Sequence, residues 1–378
     1  MRKRDYLIPL GILCLAAAVN PALAEATSES SKPALGFNKN FYLESGDGSF
    51  RMDFFGYGQV RYTNLSRDEG DDTSEFTVQR ARAGIKGHAF DKKLKYRLYL
   101  NVYSGSGSGT DLFDYWVQYS PGSDFGVRAG QWKVPYANSW NVSGSSQQFV
   151  DRSTVDANFR LDRDIGAGVS GKAADGKFSY DLGVFNGEGR NKRQDGDGHL
   201  FVGRAVLEPL GKFPKTETDL DKSETPRVKI SVAVASNQEL ASHSRSNLRG
   251  RLTELGPSDV ASENAYLGFV YRGFAAHAEL HQREIDPLAA GLVSEDASGY
   301  YLQAGYFFDP GEIAVRVESF DPDDATNADS RDEIGVGFSW FLEGDEHKLS
   351  ADLFTITTET AAGELEDTRF RLQWQLKF

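Results

Sequence analysis

The last eleven residues restrict the fold more than any other stretch. Phe370, Leu372, Trp374, Leu376 and Phe378 fill the even positions, while Arg369, Arg371, Gln373, Gln375 and Lys377 fill the odd ones. In a strand successive side chains point to opposite faces, so this segment has one wholly apolar face and one polar, mostly basic face. A helix would scatter the two sets around its circumference. The first face requires hydrocarbon and the second requires water.

The same alternation recurs upstream. Phe50, Met52, Phe54, Val60 and Tyr62 oppose Arg51, Asp53, Gln59 and Arg61, and Leu94, Tyr96, Leu98, Leu100 and Val102 oppose Lys95, Arg97 and Asn101. Phe113, Tyr115, Val117 and Tyr119 oppose Asp114 and Gln118. Further runs fall at 75–90, 125–133, 164–173, 178–186, 200–207, 226–236, 264–272, 274–282, 298–308, 312–320, 332–341, 347–357 and 367–378. About sixteen such segments result, each of roughly the length a tilted strand needs to cross a membrane. Tight turns such as Lys92-Lys93, Asp175-Gly176 and Asp309-Pro310-Gly311 alternate with long polar loops, the longest at 134–163. The segment 208–225 breaks this rule, because it is long yet falls on the short-turn side.

Export is written at the N-terminus. Arg2, Lys3 and Arg4 precede an apolar stretch from Leu7 to Val19, and Ala22-Leu23-Ala24 supplies a cleavage site. Residues 1–24 therefore read as a signal peptide and 25–49 as a short periplasmic leader. Residues 50–378 read as the barrel. The single cysteine, Cys14, lies in the apolar stretch without the small-residue box of a lipoprotein, so the mature chain holds no thiol. Beyond the signal no apolar run reaches the roughly 18 residues of a spanning helix. A net charge of −13 argues against nucleic acid as a partner. The expectation is an all-β, transmembrane antiparallel β-barrel of about 16 strands in the bacterial outer membrane. Its surroundings would be outer-membrane lipid and lipopolysaccharide, reached through the barrel-assembly machinery, with Phe370, Leu372, Trp374, Leu376 and Phe378 as lipid face and assembly signal. Aromatic residues at strand ends, including Tyr57, Tyr62, Tyr96, Tyr103, Tyr119, Tyr300, Tyr306, Phe307, Phe308, Trp340 and Phe341, suit interfacial girdles.

Several motifs in order resemble the phosphate-selective porin O and P family. They are Gln79-Arg80-Ala81-Arg82-Ala83-Gly84-Ile85-Lys86-Gly87, Asp114-Tyr115-Trp116-Val117-Gln118-Tyr119, Val127-Arg128-Ala129-Gly130-Gln131-Trp132-Lys133-Val134-Pro135-Tyr136, Arg160-Leu161-Asp162-Arg163-Asp164-Ile165-Gly166 and Gly183-Val184-Phe185-Asn186-Gly187-Glu188-Gly189. Gly299 to Phe308 and the terminal phenylalanine extend the likeness. The resemblance implies sixteen strands, usually a homotrimer, and an inward-folded third loop forming the constriction, for which 134–163 stands in the right place. It leaves the solute open.

The water-facing rows carry more cations than acids. Arg61, Arg80, Arg82, Lys86, Arg97, Arg128, Lys133, Arg369 and Arg371 are the expected pore-lining or anion-binding residues, joined by Arg152, Arg160 and Arg163 of the long loop. Lys95, Lys172, Arg204, Lys229, Arg316 and Lys377 lie on the same rows. Their acids are Asp53, Asp114, Asp164, Asp181, Glu279, Glu318, Glu333 and Asp352. Arginine suits oxyanions because its planar fork donates two hydrogen bonds together. The same arginines can equally pair with lumen acids across strands and stiffen the wall. Asp195-Gly196-Asp197-Gly198 lacks the ligand spacing of a calcium loop, and His277 with His281 lacks a third metal ligand. No catalytic residue, metal or cofactor is therefore expected. The composition points to passive diffusion of small hydrophilic solutes with moderate anion preference, phosphate among them. The alternative is a barrel serving as scaffold or sheath for a periplasmic, surface or electron-transfer partner.

Overall fold

The computed structural model describes residues 32–105, 109–194, 198–240, 255–326 and 329–378. The expected signal peptide with Cys14, the start of the leader, the Asp195-Gly196-Asp197 stretch and most of the loop after residue 240 lie outside the described residues.

Two short strands, β1 (Ala34–Asn38) and β2 (Asn40–Glu44), form a hairpin ahead of the barrel. The barrel opens with β3 (Arg51–Ser66), β4 (Thr73–Ala89), β5 (Asp91–Ser104), β6 (Asp111–Tyr119) and β7 (Phe125–Lys133). It continues with β8 (Arg163–Ala173), β9 (Phe178–Phe185), β10 (Leu200–Leu207), β11 (Arg227–Leu240), β12 (Ser258–Tyr271) and β13 (Phe274–Pro287). The last strands are β14 (Glu295–Phe307), β15 (Gly311–Asp321), β16 (Arg331–Glu343), β17 (His347–Thr360) and β18 (Gly363–Lys377). From β3 onward each strand pairs antiparallel with the next, and β18 closes on β3 from Thr368 opposite Ser66 to Lys377 opposite Tyr57. The result is a closed sixteen-stranded barrel with every expected segment in place. Closure satisfies the backbone polar groups that an open edge would leave bare in hydrocarbon.

The terminal residue completes the seam. The Phe378 amide donates to the Gly56 carbonyl at 3.0 Å, and the Gly56 amide donates to the Phe378 carbonyl at 2.9 Å. A Cβ on Gly56 would lie 2.5 Å from the Arg82 carbonyl oxygen and 2.9 Å from the Phe378 ring, so only glycine fits beneath that ring.

Polarity is reversed relative to a water-soluble sheet protein. On β18, Arg371, Gln373 and Gln375 are 6%, 3% and 1% exposed, whereas Leu372, Trp374 and Leu376 are 45%, 57% and 56% exposed. The polar row therefore faces the interior and the apolar row faces outward, as lipid requires. Among the described residues no helix is long and apolar enough to cross a membrane, and here the strands do so.

Three expectations change. Tyr57, Phe307 and Phe341 are not girdle residues: each is buried inside the wall, Phe307 edge-on to Phe341 at 5.5 Å. Phe113 also turns inward, because the register shifts between Tyr99 and Leu100 where β5 meets β6. The leader contains the β1–β2 hairpin. Residues 208–226 do lie on the short-turn side, so the strand count stands. They are accommodated by folding inward, with Phe213, Glu217, Thr218 and Asp219 buried.

Candidate functional site: the lumen and its two inward segments

Residues 134–162 join β7 to β8 and are buried along much of their length. The segment carries two short helices, α1 (Asn138–Asn141) and α2 (Thr154–Phe159). Ser153 caps α2 by accepting from the Asp156 amide at 2.9 Å, satisfying a donor that the first turn leaves bare. Inward side chains from around the barrel hold this segment. Glu279 on β13 accepts from the Asn138 and Ser139 amides at 2.5 and 3.1 Å. Asp352 on β17 accepts from the Val150 amide at 3.1 Å, and Glu318 on β15 accepts from the Thr154 amide at 3.0 Å. Gln59 on β3 and Gln375 on β18 donate to the Gly144 and Ser145 carbonyls. The lumen acids that oppose cations in sequence thus hold loop backbone as well.

Asp151 ties the segment to two barrel strands. Its carboxylate accepts from Arg61 on β3 at 3.0 Å and from Arg80 on β4 at 2.7 Å. Burial alone would push this carboxyl up, but Arg80, Arg61 and Arg371 outweigh it and hold the group well below the usual carboxylate range. Nearby, the Trp140 ring has Arg160, Arg152, Lys133 and Arg163 within 4.4 to 5.3 Å of its centre. Its indole N–H donates to the Asp162 carbonyl at 2.9 Å. Cations over an indole face are attracted by the ring quadrupole, so Trp140 gathers four like charges that would otherwise repel.

The second inward segment, 208–226, meets the first. The Glu217 amide donates to the Ser146 carbonyl at 3.1 Å, and its carboxylate accepts from the Gln148 amide at 3.0 Å and from Gln303 at 3.1 Å. Thr218 donates to Glu312 on β15 at 2.7 Å, and Asp219 accepts from the Gly273 amide at 2.9 Å. His277 lies between the Tyr266 hydroxyl and the Glu217 carbonyl, both at 2.7 Å, while His281 stacks on Phe159. Both histidines therefore pack against the inward segments. Among the described residues no group of three His, Cys, Asp or Glu side chains could hold a metal ion.

Residues 135–144 of the first segment and the β3–β10 wall enclose a cavity of about 440 Å³. Its cations are Arg82, Arg97, Arg128, Lys133, Arg163 and Arg204, against Asp114 and Asp181. Arg82 donates to the Tyr57 hydroxyl at 2.6 Å and lies 4.6 Å over the Phe113 ring. Arg128 donates to Gln118 at 2.6 Å and lies over Trp116, and Arg204 donates to the Asn138 side chain at 3.1 Å. Asp114 pairs with both Arg97 at 3.0 Å and Arg163 at 2.8 Å. The cavity cations thus outnumber its acids three to one, and four of the six heads are held by neutral partners, since Lys133 donates to the Trp140 and Val142 carbonyls.

The expected site residues divide accordingly. Arg82, Arg97, Arg128, Lys133 and Arg163 meet at the cavity. Arg61 and Arg80 grip Asp151, Arg371 forms a two-pronged pair with Asp352 at 2.8 Å, and Arg369 pairs with Glu333 at 2.7 Å. Arg152 donates to the Ser139 and Val142 carbonyls, and Arg160 pairs with Asp156 at 3.3 Å. Lys86 is exposed, with its ammonium 5.3 Å from the Phe55 ring centre. Sequence reasoning passed over the cavity's aromatic lining of Tyr57, Tyr99, Trp116 and Trp132. The signal for Trp116 was present, since it alternates with the outward Tyr115 and Val117.

Comparison with known proteins fixes the family. The phosphate-selective porin O and P family matches residues 53–378. The chain belongs to this family. It is a porin of the bacterial outer membrane, a barrel that passes small solutes. An uncharacterized protein of Aquifex aeolicus (strain VF5) is 26% identical over 345 residues, covering 81% of each chain. The anion-selective porin from Comamonas acidovorans superposes with a TM-score of 0.58 at 15% identity, over 86% of this chain and 99% of that one. The trimer form of OmpT, an outer membrane protein of Vibrio cholerae, superposes with a TM-score of 0.56 at 10% identity, over 86% and 99%. These two likenesses concern the fold.

Proposed function

We propose that this porin favours anions, and that solutes pass through the cationic cavity between residues 134–162 and the β3–β10 wall. The observation that carries the proposal is the cavity lining, with Arg82, Arg97, Arg128, Lys133, Arg163 and Arg204 set against Asp114 and Asp181. A narrow, low-dielectric passage lined by one sign of charge concentrates the opposite ion, and passage continues when no site holds that ion too tightly. Residues 134–162 act as the constriction. Arg61, Arg80, Arg369 and Arg371 hold that loop and the wall, a positioning task, while Arg82, Arg97 and Arg128 face the solute. Phosphate is one candidate among small oxyanions, since guanidinium forks suit it. The mature chain begins after Ala24 and assembles as a homotrimer, in keeping with the trimeric form of the OmpT neighbour. No catalytic role is assigned, and the lipid, lipopolysaccharide and assembly-machinery contacts follow from the outer-membrane address. Reversal potentials in salt gradients of potassium chloride and potassium phosphate test the proposal: both should show anion preference, and cation preference in both would reject it.

A further inference from the structure

We infer that the N-terminal hairpin is a membrane-surface anchor, which lays an apolar face on the periplasmic leaflet of the outer membrane while exposed lysines beside it meet lipid phosphates. The inference rests on the outer-membrane barrel described above. Register decides which way the hairpin faces. Leu43 stands opposite Met52 of β3, and in an antiparallel ladder opposed residues share a face. Leu35 and Phe37 stand opposite Leu43 and Phe41. These side chains therefore prolong the lipid-facing row of β3 below the point where β18 ends. Phe50 belongs to the same row and packs edge-on against Phe90 of the adjacent turn at 5.0 Å. Leu35, Phe37, Phe41 and Phe90 are 74%, 65%, 59% and 75% exposed, so nothing among the described residues covers this patch.

The opposite face of the hairpin is closed by its own contacts. Arg51 lies 4.0 Å over the Tyr42 ring and pairs with Glu44 at 3.0 Å and Asp53 at 2.8 Å. Those bonds tie the Tyr42–Glu44 face of the hairpin to β3, so the side of Leu35, Phe37, Phe41 and Leu43 is turned away from them. Exposed Lys32, Lys39, Lys92 and Lys93 border the patch, with Asp91 among them. Apolar side chains flanked by lysines on the short-turn rim match a leaflet surface, where acyl chains adjoin anionic headgroups.

Site-directed spin labelling tests this on the full mature protein, since the single cysteine, Cys14, lies in the expected signal peptide. Nitroxides are placed by Phe37→Cys, Leu43→Cys, Leu372→Cys on the barrel wall and Ser123→Cys on a short turn, in phosphatidylethanolamine and phosphatidylglycerol vesicles. The anchor predicts that labels at 37 and 43 relax with lipid-soluble oxygen and resist a water-soluble nickel reagent, as at 372 and several-fold unlike 123. Labels at 37 and 43 that behave as at 123 while 372 stays lipid-exposed would overturn the anchor and leave the barrel standing. Shielding from both reagents would overturn it in favour of contact with a second copy. A water-like label at 372 would overturn barrel and anchor together. Lys39→Glu with Lys92→Glu and Lys93→Glu should move labels 37 and 43 toward water-like values, and no movement would remove the charge component.

Discussion

Replacing Asp151 by Asn removes the charge that draws Arg61 and Arg80 onto the constriction loop while keeping its shape. The pairs lie at 3.0 and 2.7 Å, with the Asp151 side chain 21% exposed. Breaking a buried ion pair from one side costs about 3 to 5 kcal/mol, and the partial exposure argues for the lower end. About 3 kcal/mol shifts the ratio of released to latched loop roughly a hundredfold, at about 1.4 kcal/mol per tenfold. The backbone bonds from Glu279, Asp352 and Glu318 remain, so the loop should loosen near Asp151 rather than leave the lumen. In single-channel recordings the D151N variant should therefore flicker between conductance levels that the parent does not visit. Trypsin should also cut sooner after Arg152, whose carbonyl lies beside the released latch. Adding Arg80→Gln should cost less than the sum of the single changes, because both remove one interaction. Quiet channels and unchanged trypsin resistance in D151N would refute the latch.

Because the Asp151 carboxyl is held below its ordinary value of 3.8, its contribution is present above that value and is lost as pH falls through the lower folded one. Quiet single-channel recordings should therefore persist from neutral pH down to about 4.5, and flicker at higher pH would contradict the pairing. Gly56→Val places side-chain atoms where the Arg82 carbonyl and the Phe378 ring already lie. It should reduce the fraction of heat-modifiable, folded barrel on gels, and wild-type folding would disprove the proposed fit at the seam. Arg82→Ala with Arg128→Ala removes two of six cavity cations and should lower the anion-to-cation permeability ratio without loss of folding. An unchanged ratio would return these arginines to a purely structural role.

The barrel was legible because strand alternation is local and a closed sheet leaves each strand little choice of face. Phe370 to Phe378 show it most clearly, with outward apolar and inward polar rows in register with β3. A local shift in register, between Tyr99 and Leu100 where β5 meets β6, is what misplaced Phe113. The β1–β2 hairpin escaped notice because two strands of five residues, joined at Lys39 with its positive φ of 61°, are too short to show a period. Partner choice was the larger gap. Alternation says that Arg61 and Arg80 face inward, yet their common partner Asp151 is 90 and 71 positions away. Glu279 reaches Asn138 across 141 positions. Such contacts depend on the fold of the loop, which carries no period of its own. The same applies to 208–226, whose inward path is set by Glu217, Thr218 and Asp219 finding partners on strands far along the chain.

The central claim is that solutes cross a cavity whose cations outnumber its acids, inside a chain with a net charge of −13. The zero-current potential of the reconstituted channel across a tenfold potassium chloride gradient reads that claim directly. The expected sign is that set by chloride as the more permeant ion, weakening as ionic strength rises and the lining is screened. A potential of the sign set by potassium would contradict it.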